Sequence, residues 1–205
     1  GNATILPSDV DGGSSDAEGA VTLSLDNNTF SCADVGVTTT VTLTVTDSIG
    51  QTASCTATVT VEDNVNPTIL VNSPYILELD ATGNAILTVA DLDNGTTDAC
   101  GIASITLSRD VFTCADLGGS VNINFVVLDQ NGNLNVSTPQ IIVQDNQAPV
   151  ISCAASDSRD TDAGVCEYTV QGTEFDATFT DNCTTASVTN DLTGTATLDG
   201  AALPL

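Results

Sequence analysis

The sequence predicts an all-β chain built from tandem repeats, and three observations lead to this fold class. Apolar residues alternate with threonine in several short segments, no segment has the spacing of a helix, and one block of residues recurs at a fixed distance. Hydrophobic residues make up 41% of the 205 residues, although the net charge is −25. A disordered acidic chain contains fewer apolar residues, so this chain is expected to fold.

The repeat has an offset of 82 residues, from Phe30 to Phe112. The motif Phe-Ser-Cys-Ala-Asp-Val-Gly at 30–36 recurs as Phe-Thr-Cys-Ala-Asp-Leu-Gly at 112–118, and the alignment needs no gap over residues 1–68. We interpret residues 1–67 as a first repeat that lacks its first strand, residues 68–149 as a complete second repeat and residues 150–205 as the N-terminal part of a third. The chain is therefore expected to be a window of two and a half modules on a longer, elongated array.

The predicted strands follow one another in each repeat. Residues 40–46 and 56–61 alternate apolar and threonine side chains on either side of a turn, which predicts a β-hairpin. Residues 124–127 and 141–143 predict the same hairpin in the second repeat, with an edge or a bulge at Pro139. Further strands are predicted at residues 68–71, 76–79, 85–89 and 101–107. Several short strands per repeat, separated by Gly, Asn and Asp, predict an immunoglobulin-like β-sandwich.

The charged residues exclude several classes of function. The 27 acidic residues face only two basic residues, and there is no histidine. Nucleic acid and acidic lipid surfaces are not expected as partners, because phosphate binding needs clustered Lys or Arg. Without histidine the chain lacks the usual general base near neutral pH, and its paired carboxylates recur in each repeat at turn positions. We therefore expect no enzymatic activity, and no apolar run of membrane-spanning length is present.

The repeated motifs carry a resemblance to a known family. Asp-Ala-Cys-Gly at 98–101, the Phe-Thr-Cys motif at 112–118 and Asp-Asn-Gln-Ala-Pro at 145–149 resemble the HYR (hyalin-repeat) type of immunoglobulin-like module. The chain is especially similar to the arrays in secreted surface proteins of Bacteroidota, including the gliding-motility adhesins. The resemblance implies a non-catalytic stalk or filament of a large adhesin, exported by type IX secretion to the cell surface and involved in gliding motility or surface attachment.

Two other functions stay open at this point. One is a calcium-dependent polysaccharide-binding module, for which Tyr75 and Tyr168 are the available aromatic platforms. The other is a set of accessory repeats of a secreted hydrolase whose catalytic domain lies outside this sequence. In the leading interpretation the partners are neighbouring repeats of the same chain, and regions outside this segment contact surface polysaccharide or another adhesion target.

Seven cysteines without C-x-x-C spacing predict structural disulfides in an oxidising, extracellular setting. Cys100 and Cys114 flank a predicted hairpin and are expected to pair. The first repeat has Glu18 at the position of Cys100, so Cys32 is expected to pair with Cys55.

In the third repeat Cys153 and Cys166 are expected to join the first two strands. Cys183 is then left over, and its partner is expected beyond Leu205. The alternative for these cysteines is that they are free, buried thiols.

Acidic residues recur in the loops that precede and follow the predicted strands. In a sandwich of this topology, the loop between the second and third strands shares a pole with the loop between the last two strands. The exit of the preceding repeat reaches the same pole, and the six candidate ligands there are Asp63, Asn64, Asp91, Asp93, Asp98 and Asp129. Such a set of oxygen ligands suits Ca²⁺. The alternative is that these are solvated turn residues, whose side chains accept local hydrogen bonds and bind no metal.

Overall fold

The structure is a computed structural model that describes residues 1–183 and 187–204. Residues 184–186 and Leu205, which belong to the predicted third repeat, lie outside the described residues. The chain is all-β, as the sequence predicts. Its α-helices within the described residues are the single turns α1 (Pro7–Val10) and α2 (Val89–Leu92). No helix there has the length and hydropathy that crossing a membrane requires.

The strands are short and are separated by turns. Those of the first repeat are β1 (Asn2–Thr4), β2 (Thr22–Leu25), β3 (Thr29–Ser31), β4 (Thr38–Thr46) and β5 (Thr52–Thr60). Those of the second repeat are β6 (Tyr75–Glu78), β7 (Asn84–Ile86), β8 (Ile102–Leu107), β9 (Val111–Thr113), β10 (Ser120–Asn122), β11 (Phe125–Asp129), β12 (Leu134–Ser137) and β13 (Gln140–Gln144). Those described in the third repeat are β14 (Val150–Ser152), β15 (Glu167–Thr169), β16 (Thr178–Thr180) and β17 (Ala202–Pro204).

The bounds of several elements follow the offset found in the sequence. β1, α1 and β3 of the first repeat recur as β7, α2 and β9 at the equivalent positions of the second. Their pairing recurs as well, because Asn2 lies opposite Ser31 and Asn84 lies opposite Thr113. The same local sequence therefore forms the same local structure twice.

The hairpin predicted in the first repeat is confirmed. β4 and β5 are antiparallel, with Thr38 opposite Thr60 and Thr46 opposite Thr52. In the second repeat the equivalent hairpin is divided, because β12 ends before the buried Pro139 and β13 begins after it. β12 pairs with β11, whereas β13 pairs with β10 and, in parallel, with β6. Proline has no amide proton for a sheet hydrogen bond, and it marks the residue at which the chain changes sheets.

The strand predicted at residues 68–71 does not form. Only two isolated bridges occur there, from Thr68 to Thr97 and from Val71 to Asp93. The partner segment is a turn and not a strand, because the Thr96 amide donates to Asp93 Oδ1 at 2.9 Å. The strand predicted at residues 85–89 is also shorter than expected, since α2 begins at Val89.

The described chain divides into two compact units, which we treat separately. The first unit contains residues 1–72, 89–108 and 123–139, and the second contains residues 73–88, 109–122 and 140–205. Sheets β2-β4-β5, β1-β3 and β8-β11-β12 belong to the first unit, whereas β6-β13-β10, β7-β9, β14-β16 and β15-β17 belong to the second. Residues of the second repeat contribute to both units, and the repeat boundaries stay predictions from the sequence.

Each unit has a small aliphatic and aromatic core. In the first unit the fully buried side chains include Val41, Leu43 and Phe125, and in the second they include Phe112 and Ile141. Burying one such side chain contributes roughly 1.5–3 kcal/mol, so these small cores benefit from cross-links.

Candidate functional site

The first disulfide joins Cys32 and Cys100, whose Cα atoms lie 5.2 Å apart. Cys32 begins the 3₁₀ turn Cys32–Asp34, which is closed by the Ser31 amide donating to Asp34 Oδ2 at 2.7 Å. On the other side, the Cys100 amide donates to Asp98 Oδ1 at 2.7 Å. Local hydrogen bonds therefore orient both cysteines toward each other.

The second disulfide joins Cys114 and Cys183, and it is built in the same way. Cys114 begins the 3₁₀ turn Cys114–Asp116, where the Thr113 amide donates to Asp116 Oδ2 at 3.0 Å. The Cys183 amide donates to Asp181 Oδ1 at 2.9 Å. Each bridge thus runs from the Phe-x-Cys-Ala-Asp motif of one repeat to the Asp-x-Cys segment of the next, over 68 and 69 residues of sequence.

The pairs expected for the first two repeats are wrong. β8 pairs with β11 and β9 pairs with β7, so the expected hairpin between Cys100 and Cys114 does not form. β3, which leads into Cys32, pairs with β1, whereas Cys55 lies on β5 opposite Leu43 of β4. Cys55 is an exposed free thiol.

The pair expected in the third repeat is wrong for a similar reason. β14 pairs with β16 and β15 pairs with β17, so Cys153 and Cys166 do not join neighbouring strands, and both are exposed free thiols. Cys183 is buried and finds its partner in Cys114, not beyond Leu205.

Each bridge passes directly over a glycine. A Cβ added to Gly83 would lie 2.6 Å from Cys114 Sγ and 2.9 Å from the Asn182 carbonyl oxygen. At the equivalent residue of the first repeat, a Cβ on Gly1 would lie 2.8 Å from Cys100 Sγ and 2.9 Å from Cys32 Sγ. These separations are too short for real atoms, so the bridges need glycine at both positions. Gly83 also has a φ of 74°, which other residues adopt at a cost.

The structure brings three of the six predicted metal ligands together in the first unit. Asp63 follows β5, Asp98 precedes β8 and Asp129 ends β11, and one carboxylate oxygen from each lies within 4.8 Å of the others. Three carboxylates this close repel one another unless a cation or a hydrogen-bond donor lies between them.

Asp129 is the most buried member of this acidic group, with 1% of its surface exposed. Its Oδ1 accepts from the amides of Asn131 and Asn133 at 2.8 and 2.7 Å, and its Oδ2 accepts from Asn133 Nδ2 at 2.7 Å. Burial raises the pKa of Asp129, but the hydrogen bonds from Asn133 and Asn131 outweigh burial and hold the pKa below its usual value. Asp129 therefore stays ionised in spite of its burial.

Asp63 contributes an oxygen atom that lacks a partner. Its Oδ1 accepts from the Val65 amide at 3.1 Å and its carbonyl oxygen accepts from Asn133 Nδ2 at 3.0 Å. Its Oδ2, however, is buried without a hydrogen-bond partner. Buried carboxylate oxygens normally have a hydrogen bond or a cation, so Oδ2 has an open coordination position.

The other three predicted ligands lie outside this acidic group. Asn64 Nδ2 donates to Glu62 Oε2 at 3.3 Å. Hydrogen bonds from Thr96 lower the pKa of Asp93, which closes the turn after α2. The carbonyl oxygen of Asp91 accepts from Asn72 Nδ2 at 3.3 Å. For Asp93 the alternative of a turn residue that accepts local hydrogen bonds describes the observed contact.

A related arrangement recurs in the second unit. Asp145 and Asp181 stand at the repeat positions of Asp63 and Asp98, and Asn182 follows at the position of Ala99. Asn182 Nδ2 donates to the Asp80 carbonyl oxygen at 3.0 Å and to Asp145 Oδ1 at 3.1 Å. Its Oδ1 is buried without a hydrogen-bond partner, as Asp63 Oδ2 is. Sequence reasoning missed Asn133 and Asn182, although Asn-x-Asn at 131–133 follows Asp129 directly.

Comparison of the chain with models of known protein families gives no match, and comparison with curated proteins gives none either. The two disulfides are consistent with an oxidising, extracellular environment.

Proposed function

We propose that this chain is a segment of the non-catalytic stalk or filament of a large secreted cell-surface adhesin of the HYR repeat type. In this function the repeats provide reach, and regions outside the segment contact polysaccharide or another adhesion target. Attachment to surfaces and gliding motility are the processes that such a stalk serves.

The observation that carries the proposal is the recurrence of the bridge. Cys32–Cys100 and Cys114–Cys183 have the same local construction and connect successive repeats in series. A ligand-binding or catalytic protein needs one site of its own kind, whereas a stalk needs the same joint many times. The composition supports the same function, because a net charge of −25 keeps neighbouring filaments apart. Trypsin-like proteases find only two basic residues to cleave after.

We further propose that the acidic group of Asp63, Asp98 and Asp129 binds Ca²⁺. The residues fit this ion, because carboxylate and carbonyl oxygens are its preferred ligands and Asp63 Oδ2 is free to coordinate. Asp63 comes from the exit of the first repeat, and the other two come from loops of the second. A cation there relieves the repulsion among the three carboxylates and stabilises the same junction as the first bridge.

The stalk function is tested in cells that produce the protein. Antibodies against this chain should label intact cells without permeabilisation. In-frame removal of residues 68–149 should shorten the distance between the cell surface and the adhesive end, measured by immunogold electron microscopy, without abolishing adhesion. Cys55→Ser, which leaves the length unchanged, is the control. Labelling restricted to permeabilised cells would contradict the proposal.

The polysaccharide-binding alternative makes a different prediction. The isolated chain would then bind immobilised polysaccharide in the presence of Ca²⁺ and release it with a chelator. A stalk segment binds none under either condition, so the same assay separates the two functions.

A further inference from the structure

The order of the bridged cysteines along the chain has a mechanical consequence. The first bridge closes the loop from Cys32 to Cys100, and the second closes the loop from Cys114 to Cys183. The two loops follow one another without overlap. Both chain ends therefore lie outside the loops, joined through the short segment 100–114.

We propose that the bridges form a covalent path that carries tension past most of each repeat. When the chain is pulled from its ends, tension runs through residues 1–32, crosses the first bridge, continues through residues 100–114, crosses the second bridge and leaves through residues 183–205. The residues inside the two loops carry no tension once this path is taut. A disulfide acts in this way because it limits how far the unfolded chain can open.

This inference deepens the proposed stalk function, since it describes how such a stalk limits its own extension under load. The pairing pattern matters more than the number of bridges. Bridges between Cys32 and Cys55, Cys100 and Cys114, and Cys153 and Cys166 would each close a short loop, and most of the chain would stay extensible. The observed pairs instead enclose about two thirds of the sequence.

The expected lengths follow from the reach of an extended chain, about 3.5 Å per residue. Without bridges the chain of 205 residues extends to about 700 Å. Each observed bridge removes about 230 Å, so the fully oxidised chain stops at about 250 Å. The three short-loop pairs would leave about 540 Å. Single-molecule pulling resolves these differences.

The experiment stretches single molecules of the whole chain between handles at its two ends. The wild type is expected to reach a final contour length of about 250 Å, and Cys32→Ser should increase it to about 480 Å. Cys32→Ser combined with Cys114→Ser should reach about 700 Å. Cys55→Ser is the matched control, because Cys55 is a free thiol, and it should leave the wild-type length unchanged.

A variant that folds poorly would pair its cysteines incorrectly, so the wild type is also pulled before and after treatment with a phosphine reductant. The contour length should rise nearly threefold on reduction. A wild-type length near 540 or 700 Å, or a length that does not respond to the reductant, would overturn the inference. These outcomes concern the bridges alone, whereas failure of the stalk function appears as absent surface labelling.

Discussion

The close passage of a disulfide over Gly83 gives the sharpest test of the structure. In Gly83→Ala the new Cβ would lie 2.6 Å from Cys114 Sγ and 2.9 Å from a backbone oxygen, so the bridge from Cys114 to Cys183 is expected not to close. Losing a bridge that spans 69 residues costs about 4 kcal/mol of unfolding free energy on the chain-entropy estimate. The left-handed backbone conformation at φ 74° adds about 1–2 kcal/mol for alanine.

Gly118→Ala is the matched control. Gly118 has a φ of 79°, close to that of Gly83, but an added Cβ would meet nothing within 4 Å. This variant should therefore show only the backbone term of about 1–2 kcal/mol and keep both bridges. The difference between the two variants isolates the contact with the sulfur atom.

Two measurements decide the result. Thiol titration of the denatured chain should find the three free cysteines in the wild type and in Gly118→Ala, and two more thiols in Gly83→Ala. Thermal unfolding should show a loss of about 10–20 °C for Gly83→Ala and about 5 °C for Gly118→Ala. Equal thiol counts and equal melting temperatures for the two variants would refute the reasoning.

Three further predictions concern the bridges and the acidic group. Cys32→Ser should lower the unfolding free energy by about 4 kcal/mol, whereas the exposed Cys55→Ser should leave it within about 0.5 kcal/mol; similar values in denaturant unfolding would contradict the observed pairing. Added Ca²⁺ should raise the melting temperature of the wild type and of Asp110→Asn, an exposed charge control, but not that of Asp63→Asn; at a hundredfold excess over Kd the gain is about 2.7 kcal/mol, and no gain in the wild type would remove calcium from the proposal. The lowered pKa of Asp129 means that its ionised form stabilises the folded chain above the ordinary carboxyl pKa of about 3.9, and that this contribution is lost as the pH falls through the folded-state pKa; melting between pH 6 and pH 2 should therefore fall less steeply in Asp129→Asn than in Asp110→Asn, and equal slopes would show that Asp129 contributes nothing.

Local features of the fold were predictable from the sequence. Alternation of apolar and threonine residues located β4 and β5, and Pro139 marked the division of the last strand. These features depend on neighbouring residues, whose steric and hydrogen-bonding preferences act over a few positions. The segment at residues 68–71 failed because its partner, the loop that contains Asp93 and Thr96, forms a turn.

The disulfide pairs were not predictable by the same reasoning. Preference for short loops within one repeat favoured Cys100–Cys114, but pairing is decided by which segments of successive repeats come together. A signal was nevertheless present in the sequence. The separations of Cys32 from Cys100 and of Cys114 from Cys183 are nearly equal, and Gly-Asn-Ala recurs at residues 1–3 and 83–85 where the bridges need a glycine.

The acidic group was predictable in part. The recurrence of Asp63, Asp98 and Asp129 at turns indicated that they share one pole, and the structure gathers these three. Asp91 and Asp93 belong to the same stretch of sequence, but α2 and the turn after it direct their hydrogen bonds elsewhere. The role of Asn133, which donates to both Asp63 and Asp129, depends on contacts far apart in sequence.

The equivalence of the bridged positions bears on how a gene for such a protein changes over time. Recombination between repeats inserts or deletes whole copies, and each such event keeps a donor cysteine in phase with an acceptor cysteine. Deletion of residues 68–149, for example, leaves Cys32 at the distance from Cys183 that Cys114 has in the present chain, to within a residue. Lineages can therefore lengthen or shorten the array without stranding a thiol, whereas pairing confined to each copy would impose no such phase.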